Sequence, residues 1–382
     1  MRETETKPRD WTEDWGDDMA LSYCQACAAN FIVSLAVEIA VCPYCGQAVL
    51  TYLHEETAKP AYTHAPELLL PFSAPKEIVQ QNMKQFVKNN RFAPADLTPQ
   101  HLETRLQPLY LPFWLVDATV EAQWQAEVGF DYQIVSHREK YGDNGWQSQK
   151  IKETKIRWEP RVGQLNRHYD NQTAPALEEH EQWRSVLGGF QTDSSEPYQA
   201  GAVAGIMVRL PNRPPDDAWP EAEASLKTAA TAEVRQATKA DHIRQFRWSA
   251  AYSAQHWTQM LLPIFATYYR DDDEVVRMVY VHGQTGALVG QQRASLQKAK
   301  RYATFIGVGA ALLFTVSLIF ALLGFFEASL LPWAFLGFMA AIGLAITAVF
   351  PFLIAYSINN WGMFADVHQK RLAALREAIG ER

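Results

Sequence analysis

The chain has 382 residues, a hydrophobic content of 48% and a formal net charge of −7 at pH 7. This hydrophobic content is enough to bury a core. The acidic balance argues against a protein whose main work is to bind nucleic acid.

Residues 1–20 are predicted to form an acidic, flexible tail. Met1–Asp18 contains seven acidic and three basic residues and no apolar run, so it does not read as a secretory signal peptide. Its two tryptophans, Trp11 and Trp15, are more than a purely solvated tail requires. They are candidates for docking on a partner protein.

All four cysteines lie within residues 21–57, in two pairs with the same internal spacing. Fourteen residues separate the pairs, which are Cys24 with Cys27 and Cys42 with Cys45. The spacing is typical of a zinc ribbon, in which two tight turns direct four thiolates at one ion. We therefore predict a structural Zn²⁺ bound by these four residues. A rubredoxin-like iron site, two disulfides and a ribbon without metal are the alternatives.

The residues around the cysteines indicate what the ribbon contacts. No Lys or Arg occurs between Arg9 and Lys59, so the ribbon lacks the cations that phosphate binding needs. This favours a protein-contact module. The apolar run of residues 31–41 is expected to form a hairpin whose outer face packs either on its own domain or on a partner or second copy. Gly46 suits a turn with positive φ, whereas the first pair has no glycine after its second cysteine.

Residues 66–297 are predicted to form a cytoplasmic α+β region built on antiparallel sheet, and roughly 240 residues are available for one or two such domains. A helix opens at Pro75, with Val79, Met83 and Phe86 on one stripe. Strands are expected at residues 109–124, 259–269, 275–282 and 287–292, and an exposed hairpin at 127–135 and 149–158. One long helix, or two helices in succession, should cover residues 219–247. Two similar Leu-Pro motifs, at Leu111 and Leu262, suggest an internal α–β–β duplication.

Residues 302–360 read as a transmembrane hairpin. Glu327 is the only charged residue between Arg301 and Asp366, and the length fits two spans near residues 303–326 and 331–358. Lys and Arg flank both outer ends, and none lies in the loop, so the positive-inside rule places both termini in the cytoplasm. Residues 364–379 form an amphipathic pattern. It is expected to lie along the inner leaflet or to pair with a copy of itself.

Several stretches resemble a family of bacterial membrane-anchored zinc-ribbon proteins of the TFIIB-type zinc finger kind. The stretches that carry the resemblance are Cys24–Cys27, Cys42–Gly46, Arg91–Pro94, Leu109–Ala118, Arg157–Gly163, Leu261–Phe265 and Val281–Gly286. The resemblance as a whole runs from about residue 22 to residue 297, with the membrane hairpin in its expected place. Some members of this family are associated with SPFH (flotillin-like) and phage-shock-type membrane proteins. The resemblance therefore implies a membrane adapter with protein partners of that kind.

The motifs of common enzymes are missing from the sequence. There is no HExxH, GxSxG, GxGxxG or phosphate-binding GxxxxGK[ST] motif, so no catalytic residue and no further cofactor are predicted. The main hypothesis is a non-enzymatic adapter or scaffold at the cytoplasmic face of the bacterial inner membrane. A homo-oligomer is compatible with it. A membrane-tethered nucleic-acid-linked factor, and an enzyme or electron carrier with an unrecognised site, are the alternatives.

Overall fold

The computed structural model describes residues 15–16, 19–35, 41–52, 62–142 and 145–361. Trp11, the end of the ribbon's apolar run at residues 36–40 and the amphipathic pattern at 364–379 lie outside these ranges. The strands are β1 (Met19–Cys24), β2 (Asn30–Ser34), β3 (Leu50–Tyr52), β4 (Leu68–Leu69), β5 (Gln107–Gly142), β6 (Gly145–Ala174), β7 (Glu196–Pro197), β8 (Met207–Arg209), β9 (His242–Arg270), β10 (Val276–His282) and β11 (Leu288–Gly290). The α-helices are α1 (Lys76–Asn89), α2 (Pro99–Thr104), α3 (His180–Leu187), α4 (Pro215–Ala237), α5 (Leu296–Leu323), α6 (Leu331–Thr347) and α7 (Phe350–Trp361).

One mixed sheet connects the cysteine-rich segment to the rest of the protein. Its main path runs β11-β10-β9-β5-β8-β2-β1-β3. Strand β6 pairs with β5 from Trp114 onward, on the edge that β8 occupies at Leu109 and Tyr110. The link is β8, which pairs antiparallel with β2 and parallel with β5. The predicted mixture of helices and a large sheet is confirmed, but the sheet is not purely antiparallel, because β8 pairs parallel with β5 and β4 pairs parallel with β9. The ribbon strands are part of the main sheet.

Alternating side chains of β5 and β9 create two apolar faces. Leu109, Leu111, Met260 and Leu262 belong to the core cluster that also contains the cysteines, and α3 contributes Leu187 to it. Helices α1 and α2 pack on the opposite face, and α4 lies over β5 and β6. The two Leu-Pro motifs lie side by side in this sheet, because Leu111 pairs directly with Leu262.

The long strands differ from their predicted lengths. Strands β5, β6 and β9 have 36, 30 and 29 residues, because register shifts allow them to continue where the alternation of side chains breaks. At these irregularities Asn171, Gln245 and Ala254 have positive φ, as in β-bulges with a left-handed residue. The predicted hairpin is confirmed and is longer than expected.

The predicted helix at residues 219–247 is wrong at both ends. The helix is Pro215–Ala237, and residues from His242 onward are in β9. The helix ends because Lys239, two residues after its last residue, has φ of +53°. In this conformation the amide of Ala240 donates to the carbonyl of Arg235. This is a Schellman-type helix end, in which the left-handed residue is normally glycine. Because Lys239 takes that place, the sequence gives no glycine from which the end of the helix could be predicted.

The expectation that Trp15 belongs to a flexible tail and docks on a partner is wrong, because Trp15 packs within this chain. Its side chain is fully buried, its ring meets Tyr198 edge-on at 5.9 Å, and its indole nitrogen donates to the carbonyl of Thr63. The described part of the chain therefore starts with an anchored residue.

Two C-terminal helical stretches, Leu296–Leu323 and Ala328–Asn360, are long and apolar enough to cross a membrane. The residues buried between them are small, such as Ala310, Ser317 and Ala341, whereas large side chains point outward, with Phe305 81% exposed. Such a surface is costly in water and suits lipid contact. The second stretch is interrupted after Thr347, just before Pro351, whose missing amide hydrogen cannot continue the helical bonding.

A group of hydrogen bonds, here called the collar, joins the sheet region to these helices. The Asn90 side-chain amide donates to the carbonyl of Arg293 at 2.7 Å, and Ser295 donates to Asp272 at 2.8 Å. The remaining collar bonds are Lys298 to the carbonyl of Ala93 and the paired bonds between Asn359 and the backbone of Ala294. The turn between β9 and β10 therefore lies next to the start of α5.

A two-stranded extension projects from the other end of the long strands. β9 pairs with β5 only as far as His242 opposite Gly129, so residues 130–142 and 145–157 continue as an isolated hairpin, here called the arm. At about 3.3 Å per residue the arm is about 40 Å long, and β9 plus the arm extend on the order of 130 Å from the β9–β10 turn.

Candidate metal centre

The four cysteines converge on one point. The sulfurs of Cys24 and Cys45 are 3.7 Å apart, those of Cys27 and Cys42 are 3.9 Å apart, and all four lie within 4.8 Å of one another. A tetrahedron with metal–sulfur bonds of about 2.3 Å has edges of about 3.8 Å, so the cluster is compatible with a metal such as Zn²⁺. All four cysteines are free thiols at these separations, which are far longer than a disulfide bond of about 2.0 Å.

The two pairs use the same backbone turn. In the first knuckle, residues 24–29, the amide of Ala28 donates to the carbonyl of Cys24; in the second, residues 42–48, the amide of Gly46 donates to that of Cys42. Ala28 has φ of +55° and Gly46 has φ of +69°. The predicted positive φ at Gly46 is confirmed. The first knuckle reaches the same shape with an alanine, at some conformational cost.

The second knuckle lies against the core of the sheet. A Cβ atom on Gly46 would lie 2.7 Å from a methyl group of Val276 and 2.8 Å from the sulfur of Met278, both on β10. The hydroxyl of Tyr280 donates to the carbonyl of Tyr44 at 2.7 Å. The tight fit requires glycine here, and it ties the cysteine cluster to β10, which precedes β11 and the apolar helix α5 in the chain.

A buried arginine supplies the cation that the ribbon sequence lacks. Arg209 on β8 is 3% exposed and lies 5.6 Å from the ring centre of Phe31 and 5.5 Å from that of Tyr44. Its guanidinium also donates to the carbonyls of Asn30 and Leu210. Arg209 therefore places a buried cation beside Tyr44 of the second knuckle, next to a cluster that would carry a formal charge of about −2 as a tetrathiolate bound to a divalent ion. Arg209 lies more than 160 residues after the second knuckle in the chain, and no local sequence pattern predicts that it packs against the knuckle.

Close packing of the sulfurs gives the four thiols different pKa values. Hydrogen bonds from Cys27, Cys42 and Cys45 lower the pKa of Cys24, whereas the bond to Cys24 is the main cause that raises the pKa of Cys27. Burial, followed by the charges of Cys42 and Cys45, raises the pKa of the Tyr280 phenol well above its usual range. One thiolate therefore disfavours the next, and a bound cation is what allows all four to ionise together.

The donor set has the character of a structural centre. Four protein ligands complete a tetrahedron and leave no position for water or substrate. Cys24 and Cys42 are fully buried and Cys45 nearly so, while Cys27 is partly exposed. Within the described residues, no other set of three or more His, Cys, Asp or Glu side chains is close enough to hold a metal. Because β1 and β2 flank the first knuckle, a metal here would fasten the N-terminal strands to the main core.

Comparison with protein-family models, with curated proteins and with solved structures finds no match to this chain.

Proposed function

We propose that this protein is a non-enzymatic, membrane-anchored scaffold that assembles protein partners at the cytoplasmic face of the bacterial inner membrane. The observation that carries the proposal is the placement of the arm and the collar at opposite ends of the long strands. The collar holds the soluble region on the membrane hairpin, and the arm presents its surface far from that anchor. The resemblance of the sequence motifs makes SPFH-type or phage-shock-type membrane proteins the first partners to test.

The arm has the surface of an interaction element. Tyr141 and Trp146 form an edge-on pair near its tip, with ring centres 5.3 Å apart, and are 69% and 72% exposed. Val135 is also exposed, although its cross-strand partner Lys152 and its same-face neighbours Gln133 and His137 are polar. An isolated two-stranded hairpin is marginally stable in water, so a bound partner would stabilise it. Aromatic side chains at such positions often dominate protein–protein binding energy.

The scaffold role is tested by shortening the arm. Residues 132–155 are replaced by an Asn-Gly turn that joins Asp131 to Ile156, which are directly paired. Cross-linked membranes from wild type and variant are compared by quantitative mass spectrometry. We expect a defined set of proteins to be lost at least about tenfold in the variant and in Tyr141→Ser/Trp146→Ser.

The control is Tyr52→Ser, which removes an exposed aromatic residue from β3 instead of the arm and should leave recovery unchanged. Equal recovery with the shortened arm would contradict the scaffold role. Loss of every partner after nuclease treatment would instead favour the nucleic-acid-linked alternative. Protease added outside sealed spheroplasts should leave the arm intact, because the proposed topology places it in the cytoplasm.

We further propose that the metal is zinc, in line with the four-thiolate tetrahedron and the reducing compartment. Metal analysis of the full chain purified in detergent should find one zinc per chain. A red protein containing iron would replace this assignment with a rubredoxin-like site.

A further inference from the structure

A small cavity lies on the same face of the sheet as the metal centre and belongs neither to that centre nor to the arm. Its volume is about 160 Å³. Leu111 and Phe113 of β5 and Leu262 of β9 line it from the sheet, and Leu177 and Phe190 contribute further apolar surface. A cavity of about 150 Å³ with apolar walls is large enough for a single benzene ring.

Polar groups occur only on part of the wall. Arg184 and His180 of α3 line the cavity, together with the exposed hydroxyl-bearing residues Thr173 and Thr192. Among the lining residues that the structure describes, none is acidic. His180 lies against Phe113, with ring centres 4.8 Å apart. An apolar interior beside a guanidinium and an imidazole suits a ligand with one flat apolar body and one negative charge.

The wall formed by residues 188–192 is held in place from outside the cavity. His282 stacks on Phe190 with ring centres 4.0 Å apart, and its Nε2 atom lies 3.3 Å from the carbonyl of Gly189. The side chain of Gln284 bonds to both the amide and the carbonyl of Gln191. These bonds form the cavity before any ligand arrives, which lowers the entropy cost of binding.

One wall residue also touches the metal centre. Trp183 lines the cavity, and its ring lies 5.7 Å from that of Tyr44 in the second knuckle and 4.6 Å from that of Tyr280. The cavity and the knuckle therefore share one aromatic wall.

We propose that this cavity is a binding site for a small aromatic or short-chain carboxylate. The ring or chain fills the apolar interior, and Arg184 binds the carboxylate, with His180 beside it. The size of the cavity limits the ligand to about ten non-hydrogen atoms. This inference is independent of the scaffold role.

Benzoate is the probe, added to the full chain in detergent micelles, and saturation-transfer NMR gives the dissociation constant. We expect a value on the order of 1 mM for wild type, and weaker binding by at least about tenfold for benzyl alcohol and benzylamine. Arg184→Gln should weaken benzoate binding by about tenfold, whereas Lys152→Gln, which removes a cation from the arm, should not.

Thr173→Trp fills the mouth of the cavity and should abolish benzoate binding. Its matched control is Thr154→Trp, another exposed threonine of β6, which should bind like wild type. If Thr173→Trp lowers the yield of folded protein, Thr192→Trp tests the same point from the opposite wall. The proposal is overturned if wild type does not bind benzoate at 20-fold the expected constant, if benzylamine binds equally well, or if both blocking variants bind normally.

Discussion

The two cysteine knuckles have the same ligand spacing and the same backbone turn, yet they lie in different surroundings. The first, residues 24–29, has Gln25 and Ala28 exposed, and Cys27 is only partly covered. In the second, residues from Cys42 to Gly46 are buried against β10. One knuckle is thus a surface turn and the other is part of the core. We therefore expect the two knuckles to contribute unequally to stability, although their cysteines have the same spacing.

The largest expected effect comes from two separate variants, each of which replaces one cysteine of one knuckle. Cys42→Ser should lower the free energy of unfolding by about 4 kcal/mol, since it weakens metal binding and leaves a hydroxyl in the core. Cys27→Ser should cost about 2 kcal/mol, because water reaches this position. Apparent melting temperature and bound metal, both measured in detergent, check the order. Equal losses in melting temperature would show that the metal alone, and not the surroundings, sets the cost.

The next effect isolates the close contact of the second knuckle. Gly46→Ala should cost about 3 kcal/mol, because the new methyl group meets Val276 and Met278 and the backbone keeps its positive φ. Gly205→Ala is the control: Gly205 also has positive φ, at +75°, but no atom lies within 4 Å of the added carbon. It should cost about 1 kcal/mol. If the two variants melt together, the contact with β10 contributes nothing.

A smaller effect tests the hydrogen bond that ties β10 to the second knuckle. Tyr280→Phe removes the donor to the carbonyl of Tyr44 and should cost about 1 to 2 kcal/mol. Tyr110→Phe removes a comparable buried bond, to the carbonyl of Leu70, in which neither partner belongs to a knuckle. Both should melt earlier, but only Tyr280→Phe should release metal faster to a chelator. Equal release rates would mean that this bond does not hold the knuckle.

The cysteine cluster was predictable because its sequence pattern is local. Spacing within each pair identified all four cysteines, and Gly46 identified a turn with positive φ. The surroundings were not predictable in the same way. Arg209 and Tyr280 reach the second knuckle only through the pairing of distant strands, and a single sequence does not reveal that pairing. The ribbon therefore read as cation-free, although a buried cation lies beside it.

Most elements of the fold were also found, but their ends were not. Alternation of side chains identifies strands, and the bulges at Asn171, Gln245 and Ala254 shift that alternation. As a result β5 was predicted as two pieces, and only part of β6 and of β9 was predicted. The end of α4 was missed because Lys239 takes the conformation that glycine usually marks. Trp15 read as part of a tail, because its partner Tyr198 is distant in the chain.

The smallest expected effect has the opposite sign and belongs to the first knuckle. Ala28 has φ of +55° and an exposed side chain, so Ala28→Gly removes backbone strain without removing a contact, and should raise the free energy of unfolding by about 0.5 to 1 kcal/mol. Ala26→Gly is the control, since Ala26 has no positive φ and its change should be neutral or destabilising. Apparent melting temperature distinguishes them. If Ala28→Gly also melts earlier than wild type, the first knuckle is not the strained partner of the pair, and the exposed turn holds its shape for another reason.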